Sequence, residues 1–119
     1  MSAASDAIRN LITPLLGPGW RVQFGRWVEL GGDGTDRFAV VRPVGGGPAE
    51  LVRRPQFTIA LIGIRDEGTK PCEDAADAII ELMRTDSGSI VFMQPGEPVF
   101  MPTSDGRPVI EIAVSTIVT

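Results

Sequence analysis

The chain has 119 residues, 43% of them hydrophobic, a formal net charge of -4, one cysteine and no histidine. That length fits one domain spanning residues 1–119, with a core that needs no disulfide or metal staple; intramolecular disulfides are impossible and the usual zinc constellations lack their ligands. The negative balance gives no global reason to bind nucleic acid by phosphate neutralisation, no run of roughly 18 apolar residues exists to span a bilayer, and the N-terminus lacks the basic start and apolar stretch of a secretory signal, so a soluble protein made in the cytoplasm is expected.

From the start, Ser5 reads as an N-cap and Asp6 favours the positive end of a helix. Ile8, Leu11, Ile12, Leu15 and Leu16 form one apolar stripe. Pro14 kinks or ends the helix near its last turn, and Gly17-Pro18-Gly19 stops it. Trp20, Val22 and Phe24 alternate with Arg21 and Gln23, which predicts a strand. Gly25 and Arg26 then interrupt the pattern before Trp27-Val28-Glu29-Leu30, where a bulge, a turn and a second short strand all fit. A loop at Gly31 to Gly34 precedes a strand over Arg37 to Arg42, and Val44 to Pro48 reads as a hairpin connection.

The stretch from Arg53 to Arg84 organises the rest. Phe57, Ile59 and Leu61 alternate with Gln56, Thr58 and Ala60 in a strand predicted over Pro55 to Ile64, committing one face to a core. A charged turn leads to a helix from about Pro71 to Arg84, in which Cys72, Ala75, Ala76, Ile79, Ile80 and Met83 share one side. Asp86-Ser87-Gly88 ends it and Ile90 to Met93 reads as a short strand. Six prolines and glycines between Gln94 and Pro108 argue against helix and against the middle of a sheet. That segment reads as an extended arm or a loose hairpin, with Val99-Phe100-Met101 as one side pairing with Ile90 to Met93. Ile110, Ile112 and Val114 alternate with Glu111, Ala113 and Ser115 in a closing strand over Val109 to Thr119. The order implies an α+β fold, a mostly antiparallel sheet with two helices packed on one face.

Chemical signals are sparse. Gly63 to Gly68 followed by Thr69-Lys70 has the glycine spacing of a phosphate loop in the wrong order, and Asp66 and Glu67 would set negative charge where phosphates should lie, so a surface turn is the reading. Gly45-Gly46-Gly47 lacks the dinucleotide-binding spacing and its helix. Cys72 falls on an apolar stripe with no histidine as base, and Glu73 and Asp74 oppose a thiolate, which points to a buried structural thiol. The carboxylates Asp66, Glu67, Glu73, Asp74, Asp77 and Glu81 lack EF-hand spacing and read as a solvated face. Arg53 and Arg54, a basic pair before a strand, suit an interface rim or an anion. No catalytic residue, cofactor or metal site emerges.

Three phrases carry a family resemblance: Phe38-Ala39-Val40-Val41-Arg42-Pro43 before a glycine-rich turn, Arg54-Pro55-Gln56-Phe57-Thr58-Ile59 leading towards an alanine-rich helix, and Asp105-Gly106 turning into Arg107-Pro108-Val109-Ile110-Glu111-Ile112. Together they resemble tail terminator proteins of long-tailed phages, over most of the chain. The resemblance implies a non-enzymatic virion protein at the head-proximal end of the tail. It would form a homohexameric ring that stops tube polymerisation and presents a head-joining surface. Its partners would be further copies of itself, the major tail tube protein and head-tail connector proteins, with DNA passing through unbound and no membrane involved. Loops at Gly31 to Asp36, Gly45 to Pro48 and Gln94 to Arg107 would order on binding neighbours. The interface expected on this basis comprises Asp33, Arg53, Arg54, Val99, Phe100, Met101 and Arg107. The alternatives are another head-tail connector or head-closure subunit, and a small enzyme or ligand-binding domain with a dispersed site.

Overall fold

The structure, a computed structural model, describes residues 3–25, 36–46, 55–85, 91–101 and 106–118. Helix α1 (Ala3–Leu16) buries Ile8 and Ile12 completely and half-buries Leu11 and Leu16. It begins two residues before the expected cap. Ala3 and Ala4 are strong helix formers, so the helix extends back through them and Ser5 lies inside the first turn, with Asp6 still in that turn. Pro14 is tolerated because it removes only one bond near the end. Gly17 then adopts a φ of 75° and donates its N–H to the Thr13 carbonyl at 3.2 Å, closing the helix.

The strands are β1 (Trp20–Phe24), β2 (Arg37–Gly46), β3 (Pro55–Ile62), β4 (Val91–Pro95), β5 (Val99–Phe100) and β6 (Val109–Val118), with helix α2 (Lys70–Thr85) between β3 and β4. They form one sheet in the order β1-β2-β3-β6-β4, with β5 also on β6. Among the described residues only β1 and β2 run parallel; the other neighbours are antiparallel. The expected α+β architecture is therefore the observed one.

Alternation assigns the faces. Ala39 and Val41 of β2, Phe57, Ile59 and Leu61 of β3, and Ile110, Ile112 and Val114 of β6 pack with Ile8 and Ile12 of α1 and with Cys72, Ala75, Ala76, Ile79 and Met83 of α2. Both helices thus cover the same face. Each Val, Leu, Ile, Phe or Met side chain of that cluster, buried to within about a tenth of its area, contributes on the order of 1.5–3 kcal/mol of apolar transfer, and the alanines contribute less. The opposite face is not uniformly polar, as one-sided alternation would suggest. Phe38, Val40, Ala60, Ile62 and Val109 form a second buried cluster there, which explains why β3 ends in an unbroken apolar run.

Several boundaries differ from the sequence expectation. Strand β3 ends at Ile62 because the next pair in register is Gly63 with Pro108: the Gly63 N–H still reaches the Pro108 carbonyl at 2.8 Å, but proline has no N–H to return the bond. Strand β2 runs on past Arg42 to Gly46, with an irregularity between Pro43 and Gly46 that accommodates the proline. Trp27 to Leu30 and residues 47–54 lie outside the described residues. The largest difference concerns Val99 and Phe100, which pair with Glu111 and Ile110 of β6 and not with residues 90–93. Strand β4 occupies the same side of β6, from Val91 opposite Val118 to Pro95 opposite Val114. The two are one edge strand with a gap.

Candidate functional site

Two features beside β6 stand out, a polar clasp at one end of the sheet and an apolar edge next to it. The clasp is built on the turn after β3. Its residues Asp66 and Gly68 have φ values of 63° and 88°, a left-handed path that bends the chain sharply into α2. Glu67 points back into this turn: Oε1 accepts from the Ile64 N–H at 3.1 Å and from Arg37 Nε at 3.1 Å, and Oε2 accepts from Arg37 Nη2 at 2.9 Å. The bidentate Arg37 hydrogen bond holds the Glu67 carboxyl below the usual range, against an opposing effect of burial, and raises Arg37 in turn.

Arg107 grips the same turn from the other face of the sheet. Its Nε donates to the Gly63 carbonyl at 2.9 Å and its Nη2 to the Asp36 carbonyl. The guanidinium lies 5.7 Å from the centre of the Phe38 ring, a cation–π contact over the second cluster. Only 1% of Arg107 is exposed. The residue expected on an intersubunit interface is instead turned inward, because two backbone carbonyls and an aromatic ring offer its cation more than the rim does. Gly63 lies at the centre of the clasp. A Cβ there would meet Pro108 Cγ at 2.7 Å and Cys72 Sγ at 3.0 Å, so no other residue fits without displacing the 106–108 segment.

Cys72 is buried under this turn and its thiol donates weakly to the Pro108 carbonyl at 3.8 Å. Burial, with the Glu67 charge as a lesser cause, pushes it up to about 11. A thiol so raised is not a nucleophile near neutrality, in keeping with the structural role its stripe position implies. Among the described residues no group of three or more Cys, Asp or Glu side chains could hold a metal ion, and no helix is long and apolar enough to cross a membrane.

The edge is the second feature. Val99, Phe100 and Met101 are 56%, 52% and 47% exposed, three consecutive large apolar residues on an outer strand. Met101 is the unfinished end of a buried row. Phe38, Ile62 and Val109 lie opposite one another across β2, β3 and β6, and the Met101 N–H continues the row by donating to the Val109 carbonyl at 2.7 Å. The β2 end of this row is covered and the β5 end is open. Of the expected interface, the structure brings Val99, Phe100 and Met101 together at this edge; Asp33, Arg53 and Arg54 lie outside the described residues. The clasp residues Arg37 and Glu67 escaped the sequence reading. The signal available was a carboxylate in a turn between two glycines, which usually means solvent.

A family model described as phage tail termination protein matches residues 1–119. No curated protein matches the chain. A solved structure resembles it with a TM-score of 0.57 at 17% identity, covering 97% of this chain and 92% of that one. At that identity the likeness speaks to the fold alone.

Proposed function

The chain belongs to the phage tail termination protein family, and from that premise we propose that it is a non-enzymatic subunit that caps the head-proximal end of the tail tube. Capping stops tube polymerisation and leaves a surface to which the head is joined. The family match over residues 1–119 carries this reading. In this reading the subunits form a closed ring, six copies in number, with the tail tube protein on one side, head-tail connector proteins on the other, and DNA passing through without specific binding. The feature that best suits a contact between subunits or with the tube is the open edge at Val99, Phe100 and Met101, since monomers rarely leave such apolar groups together in water.

The test is tube polymerisation in vitro with purified tube protein, followed by electron microscopy and light scattering. Wild type should arrest growth and scatter as a discrete oligomer, alone or on the tube. Phe100→Ser should stay folded and lose both properties. Unlimited tube growth in the presence of excess wild type would refute capping. A Phe100→Ser protein that matches wild type across a concentration series would move the contact elsewhere on the surface.

A further inference from the structure

The edge strand changes register along its length. In β4 the pairing places Pro95 opposite Val114, whereas in β5 Val99 is opposite Glu111 and Phe100 opposite Ile110. Gly96, Glu97 and Pro98 therefore face only Ala113 and Ile112, one residue more than a continuous ladder allows. This is a β-bulge, and the hydrogen bonds show what it achieves. The Gly96 N–H donates to the Ala113 carbonyl at 2.7 Å, which puts Gly96 and Ala113 at a hydrogen-bonding position of the ladder. In an antiparallel ladder such pairs recur at every second residue. Continued without a bulge, the next pair would set Pro98 opposite Glu111, and proline has no N–H to donate. The extra residue moves Pro98 off that position and puts Val99 on it. The following pair is then Met101 with Val109, whose bond is present at 2.7 Å.

We propose that Pro98 selects the register of β5, and through it which face of the sheet each exposed apolar side chain of the edge joins. The consequence is large because a one-residue slip turns every side chain to the other face. In the observed register Phe100 shares the helix-bearing face with Ile110, while Val99 and Met101 share the helix-free face with Glu111 and Val109. In the unbulged register Phe100 would lie opposite Val109 on the helix-free face, and Val99 and Met101 would change places with it. Pro98 is thus a positioning residue: it decides the shape of the apolar edge. This inference rests on the assembly reading only for its biological use, and the register itself is measurable without any assembly.

Backbone amide exchange on the full chain reads the register directly. Wild type should show slow exchange at Val99 and Met101 and fast exchange at Phe100, whose N–H faces away from β6. Pro98→Ala restores a donor opposite Glu111, and protection should shift to Phe100 by at least about tenfold while Val99 and Met101 lose it. Deleting Glu97 is the complementary variant. It removes the extra residue yet keeps Pro98 out of a bonded pair, so the wild-type pattern should persist. Retention of the wild-type pattern in Pro98→Ala, or its inversion on deleting Glu97, would overturn the proposal. If the exchange pattern inverts in Pro98→Ala and tube capping is unaffected, register selection stands and the assignment of this edge as the assembly surface fails.

Discussion

Strand β6 has two neighbours, and they are specified by different means. On one side β3 runs beside it in a single register from Gln56 opposite Ser115 to Ile62 opposite Val109. On the other side the edge strand is broken into β4 and β5 around a bulge. The inner partner is rich in β-branched and aromatic residues, carries buried side chains on both faces, and needs no special turn chemistry to stay in place. The outer partner contributes Met93 to the core beneath the helices, and beyond that it is controlled by Pro95, Gly96 and Pro98. Burial fixes the register of the inner strand; missing N–H groups fix that of the outer one, and leave its side chains free for another surface.

The comparison can be broken most forcefully from the inner side. Ile79→Asp sets an unpaired charge against the face that β3 helps to build, with Ile79 fully buried, and should cost roughly 4 kcal/mol or more, enough to prevent folding at ambient temperature. A soluble, cooperatively melting variant at the wild-type midpoint would mean that the helix does not pack there. Ile59→Ala, at the centre of β3, should cost about 2–4 kcal/mol in a denaturant titration through the cavity it leaves. Glu67→Gln removes the charge that Arg37 grips and should cost about 1–3 kcal/mol. The native carboxyl is held below its unfolded value, so this stabilisation is present above about pH 4.5 and is lost as pH falls through the depressed native value. Glu67→Gln should therefore flatten the acid side of the stability profile, and an unchanged profile would count against the clasp.

Cys72 supplies a smaller effect of opposite sign. Its native value is raised from 9.0 to about 11, so the unfolded chain releases the proton first. Stability should fall between about pH 9 and 11, and Cys72→Ala should remove that part of the slope. Phe100→Ser on the outer strand should be the smallest change of all, within about 0.5 kcal/mol of wild type by thermal melting. A larger loss would show that the edge belongs to the core after all.

Periodicity alone revealed both helices and the placement of β1, β2, β3 and β6, because apolar residues at intervals of two or of three and four report directly on a buried face. It also marked Val99, Phe100 and Met101 as an apolar group in a segment rich in proline and glycine. What it could not convey was partnership. Whether residues 99–101 pair with 90–93 or with 109–111 depends on which strand edge is vacant, a property of the whole sheet. Arg107 was misplaced for a similar reason: an arginine after Gly106 looks like rim until the carbonyls of Gly63 and Asp36 are brought to it by strands far away in sequence. The second cluster was hidden because Ala60 reads as part of the weaker half of an alternation, and its burial depends on what lies across β2 and β6.

The position of β6 has a consequence for how the chain acquires its shape during synthesis. This strand follows the other five in the chain and yet is inserted between β3 and β4. Until residues 109–118 leave the ribosome, β3 has a bare edge and β4 lacks the strand it pairs with. The bonds from Arg107, which span 44 and 71 residues, can close only then. Closing the sheet is consequently a late, non-local step that carries a loop-closure entropy cost, and a nascent chain that stalls before β6 leaves the edge of β3 open to another strand.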